Sequence, residues 1–171
     1  MRKLICFLLT VYLSFCVCGC SNNGNIDGSE VTFYYLRSNI QYSATSPLLV
    51  EEQRSISHID NDPFSIVSLY IEGPTDNNCV NPFPAGTTLK SMEINDGTAS
   101  LVLSSELLTL SSAKETIAFA CITKTIVELT GTENIIIAIE DDSGHPKENY
   151  QFSNDSFSFY DSVNVNDIAP S

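Results

Sequence analysis

An α+β fold, with a single small mixed β-sheet and two helices packed on one face, is what this sequence predicts. Three observations lead there. Segments rich in β-branched and aromatic residues alternate with two segments whose apolar residues recur at helical spacing. An Asp-Gly pair joins two of the extended segments as a hairpin. That hairpin is flanked by the helices, an order that suits one sheet with helices laid on it.

Each element has its own warrant. Val31 to Arg37 (VTFYYLR) reads as a first strand, and Ser38 to Ser46 as a polar loop. Leu48 to Ile59 reads as a second extended segment, with Arg54, Ile56 and His58 at alternate positions. Asp62 can cap a helix, and Pro63 suits its first position because the missing N–H is not needed there. Phe64, Val67 and Ile71 supply the apolar face, and Gly73-Pro74 ends the helix with a left-handed cap. Residues 75–86 read as a loop. Thr87 to Ile94 and Thr98 to Ser104 form the hairpin around Asn95-Asp96-Gly97. Ala99, Leu101 and Leu103 alternate as its better-buried face.

Ser112-Ala113-Lys114-Glu115 has the form of a capping box and opens a helix to about Leu129. Its expected buried stripe is Ala113, Ile117, Ala120, Cys121 and Ile126 or Val127, and Thr130-Gly131 ends it. Asn134 to Glu140 (NIIIAIE) is apolar enough for a central strand, with Ile136 expected in the core. Asp141 to Gly144 is a turn, and residues 145–171 an edge strand or a tail.

The first twenty residues set the expected compartment. Arg2 and Lys3 precede fourteen mostly apolar residues, Leu4 to Val17, and then Val17-Cys18-Gly19-Cys20. A basic head, a short apolar core and small residues define a secretory signal, and the core is shorter than the roughly 20 residues a spanning helix needs. The four closing residues fit the bacterial lipoprotein box. This resemblance implies a signal peptide over 1–19, a cut before Cys20 and a diacylglyceryl thioether on its sulfur. Residues 20–30 then form a lipidated polar tether, and the protein sits outside the cytoplasm, held to the cell membrane.

Charge and cysteine content narrow the function. Asp and Glu number 21 against 8 Lys and Arg, and the formal charge is −13. Cleavage would remove Arg2 and Lys3, taking it to −15 over 152 residues, one domain's worth. Nucleic acid is excluded as a partner, since it requires a basic footprint. An anionic membrane would repel the body, so lipid must supply the attachment; two acyl chains hold stably where one does not. Only Cys79 and Cys121 would remain outside signal and anchor. They leave two readings open, a disulfide and two unpaired thiols, of which the second is preferred.

Ile71-Glu72-Gly73-Pro74-Thr75, Pro84-Ala85-Gly86-Thr87-Thr88-Leu89 and the hairpin strand Leu101-Val102-Leu103-Ser104 occur in that order. Together with Ile122-Thr123-Lys124-Thr125-Ile126 ahead of the last strand, they resemble the GerMN-domain lipoproteins of spore germination and sporulation. The domain would occupy 31–144. The resemblance implies a small module similar to the ring-building motifs of secretion and sporulation channels, working by contact with other envelope proteins or with itself.

No grouping nominates an active site, a cofactor or a metal. Glu140, Asp141, Asp142 and His145 offer oxygen and nitrogen ligands, but the calcium loop with its terminal Glu is absent, and they read as an acidic turn. His58 reads as a surface or half-buried structural residue. No Gly-x-Ser-x-Gly elbow or phosphate-cradling glycine loop occurs. The expectation is a lipid-anchored, non-enzymatic envelope protein. The alternative is a lipoprotein that binds a small ligand or cell-wall fragment, with Tyr34, Tyr35, Tyr42, Tyr150 and Phe157 stacking on sugar.

Overall fold

Seven strands and two helices follow one another across residues 30–39 and 47–161, the residues that the computed structural model describes. The signal, Cys20, the tether, Tyr42 and residues 162–171 lie outside them. Strand β1 (Glu30–Arg37) pairs antiparallel with β2 (Leu49–Ser55), from Glu30↔Ser55 to Leu36↔Leu49. Helix α1 (Pro63–Glu72) follows, then β3 (Cys79–Val80), which pairs with the other edge of β1. The remaining strands are β4 (Leu89–Asn95), β5 (Thr98–Ser104), β6 (Asn134–Glu140) and β7 (Pro146–Ser153), with helix α2 (Ser112–Thr130) between β5 and β6.

The α+β class holds, but the strands divide into two sheets, of order β2-β1-β3 and β4-β5-β6-β7, where one was expected. One edge of β1 is paired along its length by β2; the other is paired by β3 at Leu36 and Arg37 and, at Tyr34, bonded to the side chains of Thr125 and Tyr70 instead of a strand of the second sheet. In that sheet β5 and β6 run parallel, from Thr98↔Asn134 to Ser104↔Glu140. Parallel neighbours need a long crossover, and α2 is that crossover.

Helix α2 touches both sheets. On one side Phe119 meets Tyr150 and Phe152 of β7, with ring centroids 4.5 and 5.3 Å away. On another, the Thr125 hydroxyl accepts the Tyr34 N–H of β1 at 3.0 Å. Residues 118–126 are therefore buried, Lys124 excepted, rather than on one stripe. Of the expected stripe, Ala120, Cys121 and Ile126 are buried, Ile117 and Val127 half-buried, and Ala113 exposed. The capping box does not form. The cap residue is Ser111, without a side-chain cap bond, and the Glu115 carboxylate accepts the Tyr150 hydroxyl at 3.0 Å.

Local punctuation otherwise falls where its chemistry requires. The Asp62 carboxylate accepts the Ser65 N–H at 3.1 Å, and Pro63 opens α1. The buried face of α1 is Ile66, Val67, Tyr70 and Ile71, while Phe64, expected on that face, is exposed. Asp96 and Gly97 take φ of 48° and 73°, the two positive angles of a type I′ turn. The core joins Phe33 and Tyr35 of β1 with α1, Leu101 and Leu103 of β5, and Ile135, Ile137 and Ile139 of β6. Ile136 points to the other face of β6 and is half-buried, because side chains alternate along a strand.

Ile137→Ala is expected to cost about 2–5 kcal/mol in urea unfolding. Ile136→Ala should cost clearly less. Equal losses at the two sites would show that the sheet does not bury the face carrying Ile135, Ile137 and Ile139.

Candidate functional site

A helix ends with carbonyls that lack intrahelical partners, and the end of α1 supplies the frame of the site. Arg54 Nη1 donates to the Leu69 carbonyl at 3.4 Å and Nη2 to the Gly73 carbonyl at 2.9 Å. The Tyr70 carbonyl accepts the Gly73 N–H at 3.1 Å and the Tyr35 hydroxyl at 2.8 Å. The Asn81 amide donates to the Ile71 carbonyl at 3.1 Å. A cation at a helix C-terminus also favours the helix dipole.

Glu52 holds the guanidinium in place. Its Oε1 accepts Arg54 Nε at 3.0 Å and Nη2 at 2.5 Å. Thr75 donates its N–H at 3.1 Å and its hydroxyl at 2.7 Å to the same carboxylate. Glu52 and Arg54 sit two apart on β2 and so share a face; Arg54 also lies 5.1 Å over the Phe33 ring. Burial pushes the Glu52 carboxyl up, but hydrogen bonds from Arg54 and Thr75 outweigh it and hold the group below the usual carboxylate range. Sequence reasoning saw only an extended segment here. The pair of opposite charges at i and i+2 was its available signal.

The frame sets the loop after it. Gly73 takes φ 115° and ψ 175°, a region open essentially to glycine alone, rather than the left-handed cap expected. A Cβ there would lie 2.8 Å from the Asn81 amide nitrogen. Asn81 also accepts the Phe83 N–H at 3.1 Å, so one side chain ties the end of α1 to the next loop. Phe83 is thereby seated edge-on to Tyr70, 5.4 Å between ring centroids.

The outer side of this loop forms one wall of a cleft of about 430 Å³. Leu36, Val80 and Phe83 line it from β1, β3 and the loop; Leu110 lines it from just before α2, and Lys114 and Ile117 from the first turns of α2. Val80 is 42 % exposed. None of these residues stood out in the sequence as a site, because four separate segments build the cleft. A shallower depression of about 630 Å³ lies beside His58, Phe64 and Glu72, with His58 exposed at its rim.

The other expected residues do not converge. The Asp141 carboxylate accepts the N–H groups of Ser143 and His145 at 3.0 and 2.9 Å and pairs with Lys147 at 3.0 Å. These bonds, led by that from His145, hold it well below the usual range. The Asp141 carboxylate is thus engaged in shaping its turn, and among the described residues no group of three His, Cys, Asp or Glu side chains could hold a metal. Tyr34 and Tyr35 are buried, and Tyr150 and Phe157 half-buried, so they do not form an exposed stacking wall. Cys79 and Cys121 are free thiols, both buried, and burial pushes both thiols up.

A family model described as Germane, sporulation and spore germination, matches residues 32–144, more than half of the chain. Among solved structures, the tandem GerMN domains of the sporulation protein GerM from Bacillus subtilis are similar, with a TM-score of 0.52 and 19 % identity. The match covers 68 % of this chain and 44 % of that one, so the chain spans less than half of that structure, and the likeness is one of fold. A Clostridium perfringens protein described as a candidate lipoprotein matches with a TM-score of 0.43 and 20 % identity, over 80 % of this chain and 95 % of that one. No curated protein matches the sequence.

Three substitutions probe the frame. Gly73→Ala should destabilise the fold by at least about 1–3 kcal/mol, since both the backbone angle and Asn81 oppose a Cβ; native stability would mean that the loop yields freely. Arg54→Met strands a buried carboxylate and should cost about 3–5 kcal/mol at pH 7. Because the folded state lowers the Glu52 pKa, its contribution is full above the ordinary value of about 4.3 and is lost as pH falls through the folded value. Glu52→Gln should therefore flatten the acid limb of stability in urea titrations from pH 7 to pH 2. An unchanged limb would assign that loss to other carboxylates.

Proposed function

The chain belongs to the Germane family of sporulation and spore germination, and on that premise we propose that it is a lipid-anchored, non-enzymatic cell-envelope protein that works through protein–protein contacts. The observation that carries this reading is the chemical character of the cleft. Most of its lining is apolar, and the side chains of Asn81 and Thr109 are already engaged in bonds to backbone groups. Catalysis needs a nucleophile or base with an orienting partner in reach. An apolar, partly exposed surface is instead what a protein contact uses.

The anchor reading rests on Val17-Cys18-Gly19-Cys20. Among the described residues no helix is long and apolar enough to cross a membrane. Two acyl chains on Cys20 would give stable attachment to a body whose charge an anionic membrane repels. The sugar-stacking alternative loses support from the burial of Tyr34 and Tyr35.

Cys20→Ala should move the protein out of the membrane fraction and lower spore yield or germination efficiency in the native host. Membrane retention equal to wild type would place the anchor elsewhere. Retained spore function in cells where the released protein has left the membrane would show that anchoring is not needed.

A further inference from the structure

The contact reading above is the basis for naming the partner's chemistry. Exposed apolar surface lines the cleft, with Val80 42 % exposed. Its polar side chains are nearly all committed. The Asn81 amide uses both ends on the Ile71 carbonyl and the Phe83 N–H, and the Thr109 hydroxyl donates to the Glu106 carbonyl at 2.7 Å. Lys114 alone in the lining has no hydrogen-bond or ion-pair partner among the described residues.

The other described basic side chains are held. Arg37 donates to the Pro47 carbonyl, Arg54 pairs with Glu52, and Lys90 donates to the carbonyls of Glu140 and Asp141. Lys124 lies over the Tyr34 ring, and Lys147 pairs with Asp141. On a chain of formal charge −13, the one uncommitted cation among the described residues therefore stands at an apolar cleft.

We propose that this cleft takes an extended segment of a partner protein that presents apolar side chains and one carboxylate. The apolar groups seat on Leu36, Val80 and Ile117, and the carboxylate meets Lys114. Charge complementarity selects this occupant. A second copy of the chain brings the same large negative charge toward this one. A sugar would need several free hydrogen-bonding groups and an exposed ring face, whereas the lining offers one free ammonium and a Phe83 that is 5 % exposed. A fatty acid favours a pocket that encloses most of its surface, and this cleft opens to solvent.

The test uses the full chain in phosphatidylcholine nanodiscs and fluorescence anisotropy. The probes are a labelled Val-Leu-Glu-Val-Leu peptide with blocked ends and its counterpart with Gln in place of Glu. The Glu peptide should bind about fivefold tighter at low salt, the range of a partly exposed ion pair, and the advantage should vanish near 1 M salt. Lys114→Gln should abolish the difference between the peptides and leave the thermal unfolding midpoint unchanged. Val80→Asp should weaken both peptides. Equal affinity of the two peptides, a preference that survives Lys114→Gln, or no binding of either would overturn the proposal and leave Lys114 an ordinary solvated lysine. Decanoate binding that depends on Lys114, with neither peptide bound, would overturn it in favour of a lipid. Spore yield separates this failure from that of the contact reading. If the peptides fail while Cys20-dependent spore function persists and the anchored protein still crosslinks to an envelope protein, only the partner chemistry falls.

Discussion

The buried Arg54–Glu52 pair is the interaction on which the arrangement of the cleft depends. Helix α1 ends half-buried, between exposed Glu72 and half-buried Gly73, and side chains rather than water alone meet its last carbonyls. Arg54 reaches two carbonyls there, at Leu69 and Gly73, and Glu52 keeps it aimed. The same carboxylate accepts from Thr75, so strand β2, the end of α1 and the chain beyond Pro74 are fixed to one another. Removing two charges from water is expensive, and an apolar replacement of similar volume can be as stable. What the pair adds is direction: hydrogen-bonded ions tolerate few geometries, whereas apolar contacts tolerate many.

That direction is passed on through Asn81. Gly73 lacks a Cβ, which lets the Asn81 side chain come close enough to cap α1 and to hold the Phe83 N–H. Tyr70 joins the same frame from the inside, donating its hydroxyl to the Tyr34 carbonyl at 2.8 Å while its ring packs on Phe33, Tyr35 and Phe83. The cleft is thus backed by a fully engaged polar network and a cluster of four aromatic rings. A surface backed in this way is preorganised, which lowers the ordering cost of binding.

Helix α2 relates the cleft to the second sheet. Its middle is buried against both sheets, so its first turns, with Lys114 and Ile117, have a fixed place beside β3 and the Asn81–Pro84 loop. The family's sequence features fall mainly on these junctions. Gly73-Pro74-Thr75 lies in the ion-pair frame. In Pro84-Ala85-Gly86-Thr87, the Thr87 hydroxyl donates to the Pro84 carbonyl at 2.9 Å and leads into β4.

The sequence by itself determined what short-range chemistry controls. Asp62-Pro63 and Gly73 mark the ends of α1, Asp96-Gly97 marks the hairpin, and Gly131 ends α2 with a left-handed φ of 67°. Each depends on the backbone freedom of one or two residues and on a hydrogen bond a few positions away, so each is legible locally. The alternation of Leu101 with Leu103 and the apolar run of β6 were legible for the same reason. Tertiary structure alone decided the rest. The two-residue strand β3 exists because β1 offers it an edge. Phe64 and Ile136 face away from the centre because the packing partners lie on the other side. Glu115 leaves its capping role because Tyr150 comes within reach from β7. The division into two sheets and the cleft between β3 and α2 arise from contacts between residues far apart in the chain. No local pattern encodes such contacts, since their free energy appears only once the intervening elements are in place.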